Sequence, residues 1–376
     1  MARNLQPRLL QQVTVFIGAT RPVHGGTAGE QMRGTTIRDV ARRAGVSIAT
    51  VSRVQRGSAR VSDDTRDRVT AAIDALRYVP NRLGRGLAER RHRAMGIVFP
   101  DLSGPYFSEV IGGFETAATD DDHGVMVLST HGRQAAVDRV RDLASRVDGL
   151  LILGRTVPDE VIRDLHEAGR PIVLLARPTV GAVDAVRAEN RATAARLALH
   201  LIDVHGHRRI AFLGDPDSSP DGAERWDGFV AAHRSRGLAG PDGPIRSLYR
   251  QAEGYAAARL ALTAVDARET PTALFCGNDE IALGAYRAAA ELHRRVGHDV
   301  AITGWDDIPT ARYLAPALTT VRQPMRELGL WAARALFARI HGDGGPPRHE
   351  VLPTQVVLRA SCGCATTPMQ EELSDD

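Results

Sequence analysis

Lysine is missing altogether: every one of the 48 basic residues in this 376-residue chain is arginine. The bias is that of a GC-rich genome, and no function is drawn from it. Cysteine is scarce too. Cys276, Cys362 and Cys364 are an odd number in a large chain, which excludes a disulfide framework and suits a reducing compartment. Cys362 and Cys364 form a C-x-C with no second Cys or His pair at ligand spacing nearby, so ordinary thiols are expected and no metal site. No apolar run approaches the roughly 20 residues of a membrane helix, and the start shows no basic segment followed by an apolar core and cleavage site. The expected compartment is the cytoplasm, with no membrane contact. Enzyme motifs are lacking as well. GRGLAE offers Gly84 and Gly86 but no third glycine and no preceding strand, and there is no Walker loop or Gly-x-Ser-x-Gly elbow. The 13 histidines do not cluster with acids at catalytic or metal spacing. No catalytic residue and no cofactor is expected.

What is present is size and an uneven charge. Hydrophobic residues make up 43% of the chain and charged residues 25%, enough for two or three packed domains. The net charge of +3 hides a head, residues 1–93, at +11 and a remainder at −8. A basic head on an acidic body suits phosphate binding.

Within that head, Thr36 and Asp39 have capping-box spacing, and Ile37, Val40, Ala41 and Ala44 share one helical face. Gly45 ends the helix, and Ser47 is placed to cap a second one running to about Arg56. Val51 and Val54 face inward there, leaving Ile48, Ala49, Ser52, Arg53 and Arg56 as the short basic face a major groove requires. Ser62 is expected to cap a third helix, whose Val69, Ile73 and Leu76 close a three-helix core.

The series DVARRAGVSIATVSRV, VSDDTRDRV, YVPNR and Leu87 resembles the head of the LacI/GalR family of bacterial repressors, and the resemblance continues almost to the C-terminus. It implies DNA contact by Thr36, Ser47, Ile48, Ala49, Thr50, Ser52, Arg53, Arg56, Tyr78, Asn81 and Leu87. Arg53 is expected to read a guanine, and Thr50 and Ser52 to touch phosphates. The resemblance also implies that the linker 80–93 folds into a hinge helix only on operator DNA, with Leu87 wedged into the minor groove at a central CG step. Gly84 stands where the family more often has alanine.

From Ala94 onward, apolar runs alternate with amphipathic segments, which implies α/β architecture with parallel sheets covered on both faces. The strands expected are Met95–Pro100, Val125–Ser129, Gly149–Leu153, Ile172–Ala176, Arg209–Leu213, Ala273–Cys276 and Val300–Thr303. Helices are expected at Tyr106–Thr119, Arg191–Val204, Asp227–Arg236, Tyr255–Ala264 and Glu280–His293. The family's fold is two doubly wound, periplasmic-binding-protein-like subdomains joined by three crossovers. Motif matching places these near Val186–Glu189, Arg294–His298 and Thr320–Arg322. The domains are then a disordered extension at 1–34, a helix-turn-helix head at 35–79, the hinge at 80–93 and an effector body at 94–362. Within the body, subdomain one takes 94–187 and 299–321, and subdomain two takes 188–298 and 322–362. A tail, 363–376, lacks a leucine heptad, so no tetramerising coiled coil is expected.

Ligands of doubly wound sheets gather beyond the carboxyl ends of strands. The resemblance assigns effector contacts there to Asp101, Ser103, Tyr106 and Phe107 in PDLSGPYF, Arg225 in ERWDGF, Asn278 and Asp279 in CGNDEIALG, and Trp305 in GWDD. The expected function is that of a homodimeric transcriptional regulator on palindromic double-stranded DNA, controlled by a sugar-like small molecule. A transporter's solute-binding protein shares such a body but not the basic head.

Overall fold

The computed structural model describes residues 35–55, 57, 61–78, 92–130, 135–239, 243–263, 270–342 and 345–365. They form two compact units, a head and a body, each taken by itself.

The head is built of α1 (Ile37–Ala44), α2 (Ile48–Gln55) and α3 (Asp63–Ala75). At the start of α1, the Thr36 amide and hydroxyl both donate to the Asp39 carboxylate, at 3.0 and 2.7 Å. Those bonds, the hydroxyl's first, hold the Asp39 carboxyl below its usual range. Gly45 ends the helix at φ 66°, where a side chain would be strained. Ser47 Oγ accepts from the Thr50 amide at 3.1 Å, so the second helix starts where its capping residue stands. Ser62 departs from expectation, because its hydroxyl donates to Thr65 Oγ1 and makes no bond to a helix amide. Val40, Ala41, Ala44, Val51, Val69, Ala72 and Tyr78 fill the core, with Ile73 and Leu76 at its edge.

The body opens with β1 (Ala94–Phe99), α4 (Pro105–Asp120), β2 (Gly124–Ser129), α5 (Ala136–Ala144), β3 (Gly149–Leu153), α6 (Asp159–Glu167), β4 (Ile172–Leu175) and β5 (Asp184–Ala188). It continues through α7 (Arg191–Leu199), β6 (Ile210–Leu213), α8 (Pro220–Ser235), α9 (Gln251–Leu262), β7 (Ala273–Cys276), α10 (Asp279–Glu291) and β8 (Ala301–Thr303). The last elements are β9 (Thr320–Arg322), α11 (Met325–Ile340), β10 (His349–Leu352) and β11 (Gln355–Val357). One parallel sheet runs β10-β5-β4-β3-β1-β2, a second runs β6-β7-β8, and β9 pairs antiparallel with β11. β3 and β4 are buried along their whole length, as strands covered on both faces must be. The first sheet is covered on one side by α4 and α11, whose Phe114, Leu328 and Leu336 reach its core.

The structure moves one of the three expected crossovers. Val300–Thr303 is not the start of a return to the first lobe, because β8 pairs with β7 and Ile302 packs in the second lobe's core. Residues 299–321 therefore stay with lobe two. The chain crosses back after β9, α11 packs on the first lobe, and β10 pairs with β5 there. It crosses a third time before β11. The crossovers after β5 and at Thr320–Arg322 lie where they were expected, the second running in the opposite direction, and the one expected near Arg294–His298 is replaced by the crossing before β11. The three crossing segments touch one another: β9 is zipped to β11, and Thr354 Oγ1 donates to the Glu189 carbonyl at 2.9 Å.

Helix boundaries differ as well. Asp227–Arg236 is the second half of a helix that begins at Pro220, where Ser219 Oγ accepts from the Gly222 amide. Arg191–Val204 is not one α-helix, since it widens into a π-helical turn at His200–Val204.

Candidate functional site

On the head, Ser47, Ile48, Ala49 and Arg53 are exposed along one side of α2, while Thr50 and Ser52 are half-buried beside them. Thr36 is exposed at the start of α1. Tyr78 is not on that surface: it is 8% exposed and belongs to the head's core, because its ring completes the packing under Val40 and Val69. Arg56, Asn81 and Leu87 lie outside the described residues, as do nearly all of the linker and the extension 1–34.

In the body, a cavity of about 300 Å³ opens between the two lobes at the carboxyl ends of their strands. Asp101, Ser103, Tyr106 and Phe107 line it from lobe one, and Arg225 and Asn278 line it from lobe two. Phe107 stands edge-on to Phe99 and Tyr106, which fixes an aromatic wall. Burial raises the Tyr106 hydroxyl above its ordinary value, and among the described residues that hydroxyl has no hydrogen-bond partner. Asp101 accepts from Ser103 and, at 2.8 Å, from Arg250 across the cleft. Burial opposes ionisation there, but those partners outweigh it and hold the Asp101 carboxyl below its usual range.

Arg225 is the centre of the site. It is 5% exposed, donates to Asn190 Oδ1 at 2.8 Å and to the Gly277 carbonyl at 2.7 Å, and faces Asp221 at 3.9 Å. Its guanidinium lies 4.6 Å over the Trp305 ring. Trp305 is fully buried and does not line the cavity, so it is the floor on which Arg225 rests rather than a ligand contact.

Asp279 is also displaced from its expected role. Its carboxylate is fully buried and taken up by Thr320 Oγ1 at 2.6 Å and the Ile308 amide at 2.9 Å, tying α10 to the crossover strand. Asn278 reaches the cavity edge, but its Oδ1 caps α10 by accepting from the Ile281 amide.

Besides Asp101, further acids face the cavity that the sequence reading did not single out as contacts. Asp221 and Asp306 line it, with Gln323 beside them. Asp306 follows the buried Trp305 and holds φ at 120°, and it accepts from Gln323 Nε2 at 2.6 Å. Strained backbone of this kind in a ligand cleft is the one local signal, and it is invisible in sequence. Burial is the main cause that pushes Asp306 up to about 8 and Asp279 to about 7, only partly offset by Arg225 at the first and Thr320 at the second.

A carboxyl raised above its ordinary 3.8 binds its proton more tightly in the folded chain than in the unfolded one. Folding stability of the body should therefore fall as pH rises from about 4 toward 8 and level off above that range. Asp306→Asn should flatten that slope by up to about 1.4 kcal/mol per pH unit in urea unfolding curves. A slope unchanged by the substitution would remove Asp306 from this account.

A small trihelical head with an exposed face on its second helix and, in the same chain, a two-lobed body with a cavity between its lobes are the build of a ligand-responsive DNA-binding regulator. Comparison with known proteins bears this out. A model of bacterial regulatory proteins of the lacI family matches residues 36–81, and one of periplasmic binding protein-like domains matches residues 198–362. The HTH-type transcriptional repressor PurR of Photorhabdus laumondii is 32% identical over 81% of this chain and 90% of its own. Catabolite control protein A of Priestia megaterium is 31% identical over 87% of this chain and 98% of its own. Among solved structures, the lac repressor dimer bound to operator and an anti-inducer has a TM-score of 0.77 at 28% identity, covering 88% of this chain and 99% of its own. The chain belongs to the LacI family, and it is a DNA-binding regulator of transcription. No helix among the described residues is long and apolar enough to cross a membrane.

Proposed function

We propose that this protein is a cytoplasmic, non-enzymatic, homodimeric repressor of a palindromic operator, released or tightened by a sugar or sugar derivative bound between the lobes. The observation that carries the effector class is the convergence of Asp306, Asp221 and Arg225 on one side of the cavity and Tyr106 and Phe107 on the other. Carboxyl groups accept from sugar hydroxyls, a guanidinium donates to them in a fixed fork, and aromatic faces cover the apolar side of a ring. The volume falls at the lower end of small-molecule sites. A related structure, the regulator CelR in complex with cellobiose, is 31% identical with a TM-score of 0.65 over 87% of this chain and 99% of its own.

Operator contact is assigned to Ser47, Ile48, Ala49, Thr50, Ser52 and Arg53, with Thr36, Arg56 and Asn81 around them. Leu87 is assigned the minor-groove wedge at a central CG step. Dimerisation doubles the contacts of one small head at a fixed half-site spacing. Edge strand β2, where Met126 and Val127 are exposed, offers apolar surface for it.

The test is to select the operator from random DNA with the full chain, then measure its affinity by anisotropy against panels of sugars and of non-sugar metabolites. A sugar should change operator affinity by about 5- to 150-fold. Response to a non-sugar class alone would overturn the effector reading. In the same assay, Arg53→Ala should cost about 1–3 kcal/mol on the selected operator and relax one base pair per half-site. Equal loss on random DNA would reduce Arg53 to a phosphate contact.

A further inference from the structure

Far from the cleft, the fold brings together two pairs that the sequence keeps about 160 positions apart. His200 and His205 stand at the two ends of the π-helical turn that follows α7, and Cys362 and Cys364 lie in the last turn of the body. Their ligand atoms all lie within 4.8 Å of one another. The partners absent from the local sequence of Cys362 and Cys364 are supplied by another element.

The spacings match those of one ion's coordination shell. His200 Nε2 lies 3.1 Å from His205 Nε2, 3.4 Å from Cys364 Sγ and 3.6 Å from Cys362 Sγ, and His205 Nε2 is 3.4 Å from Cys364 Sγ. A tetrahedral zinc ion, with Zn–S near 2.3 Å and Zn–N near 2.0–2.1 Å, sets its ligands apart by about 3.3 Å for N to N and about 3.5 Å for S to N. Hydrogen bonding explains the cluster less well. One ring nitrogen carries at most one proton, yet His200 Nε2 approaches three heteroatoms at once.

The surroundings are shaped for this. In an α-helix, residues five apart diverge around the axis, whereas the i to i+5 bonding of a π turn returns His205 to the side of His200. Gly363, between the cysteines, has φ 100°, and a Cβ there would sit 3.3 Å from His205 Nδ1. Thr319 Oγ1 lies 3.2 Å from Cys362 Sγ and 2.8 Å from the Arg359 carbonyl, so its one proton can turn to the sulfur when a thiolate ligand needs an outer bond. Cys362 is buried, and the other three are half-buried, so an ion could enter.

We infer that His200, His205, Cys362 and Cys364 form a Cys2His2 site for Zn2+, independent of the effector cleft, that staples the turn at Ala360–Cys362 to the end of α7. With four protein ligands and no open position, it is a structural site, and its binding energy stabilises lobe two.

The test uses the full chain, reduced and stripped with chelator. Titration with Co2+ should produce thiolate-to-cobalt charge-transfer and tetrahedral d–d bands saturating at one equivalent per chain, and Zn2+ should displace them. Zn2+ should also raise the melting temperature and protect Cys362 and Cys364, but not Cys276, from alkylation. Cys364→Ser and His205→Gln, both at half-buried positions, should each weaken the metal by more than the roughly 10–100-fold that loss of an outer hydrogen-bond partner costs. Each variant's circular dichroism is compared with that of wild type. A folded wild type without thiolate bands at saturating Co2+ overturns the site. So do bands that persist in both folded variants, or that disappear only with Cys276→Ala.

Discussion

Arg225→Ala is expected to abolish the effector response and to lower the unfolding free energy of the body by about 3–5 kcal/mol, the cost of breaking a buried ionic network by removing one partner. The guanidinium is the shared partner of Asn190 Oδ1, the Gly277 carbonyl and Asp221, and it covers the Trp305 ring. Without it, two buried acceptors lose their donor and Asp306 loses the charge that most favours its ionised form. Arg225→Lys keeps a cation but not the planar fork, so it should recover part of the stability and little of the ligand binding. Urea unfolding with and without a sugar found in the operator assay reads both effects. A loss below about 1 kcal/mol would show that the network relaxes without Arg225.

Gly113→Ala should cost about 3 kcal/mol, at the top of the range for over-packing, while Gly112→Ala one residue away should cost far less. The two glycines sit on α4 where it crosses α11. A Cβ on Gly113 would lie 1.9 Å from the Arg326 carbonyl oxygen, a backbone atom that cannot step aside. On Gly112 it would meet only the Arg326 guanidinium at 3.0 Å, the far end of a flexible side chain. The contact is reciprocal, since a Cβ on Gly329 would lie 2.1 Å from the Val110 carbonyl. Paired denaturation midpoints measure the difference. Equal costs at the two positions would mean that the helices can part without penalty.

The head was legible because each of its signals is local. Thr36 and Asp39 are three residues apart, Gly45 marks a stop, and one helical period places Val40, Ala41 and Ala44 on one face. Tyr78 was misplaced because a motif position does not say which way a ring turns. In the body, strands covered on both faces, such as β3 and β4, announce themselves by unbroken apolar runs. β10, His349–Leu352, lies at a sheet edge, largely exposed, and carries no such signature. With β10 unread, the return of the chain to lobe one was assigned to the wrong residues.

The site was legible in outline, wrong at Asp279, and silent on Asp221 and Asp306. Asn278 and Asp279 open α10 just after β7, and neighbours there point in different directions: one caps the helix, the other turns into the core. Asp306 was passed over because the GWDD segment says nothing about which of three adjacent side chains faces the ligand. The His and Cys pairs escaped for another reason. Spacing rules for metal ligands read one stretch at a time, and this constellation exists only after α7 and the last turn have packed together.

The three crossing segments are hydrogen-bonded to one another rather than spread along the body. Mechanically this is an axle of parallel cords. Pulling the lobes straight apart would strain all three at once, whereas rotating one lobe against the other twists each cord only slightly. The body thus has one soft coordinate, an angle, and the Arg250–Asp101 bridge at the cleft mouth acts at the far end of the lever from that axle. A small turn about the axle is multiplied at the rim, so a ligand that bridges the lobes there is expected to act on that angle.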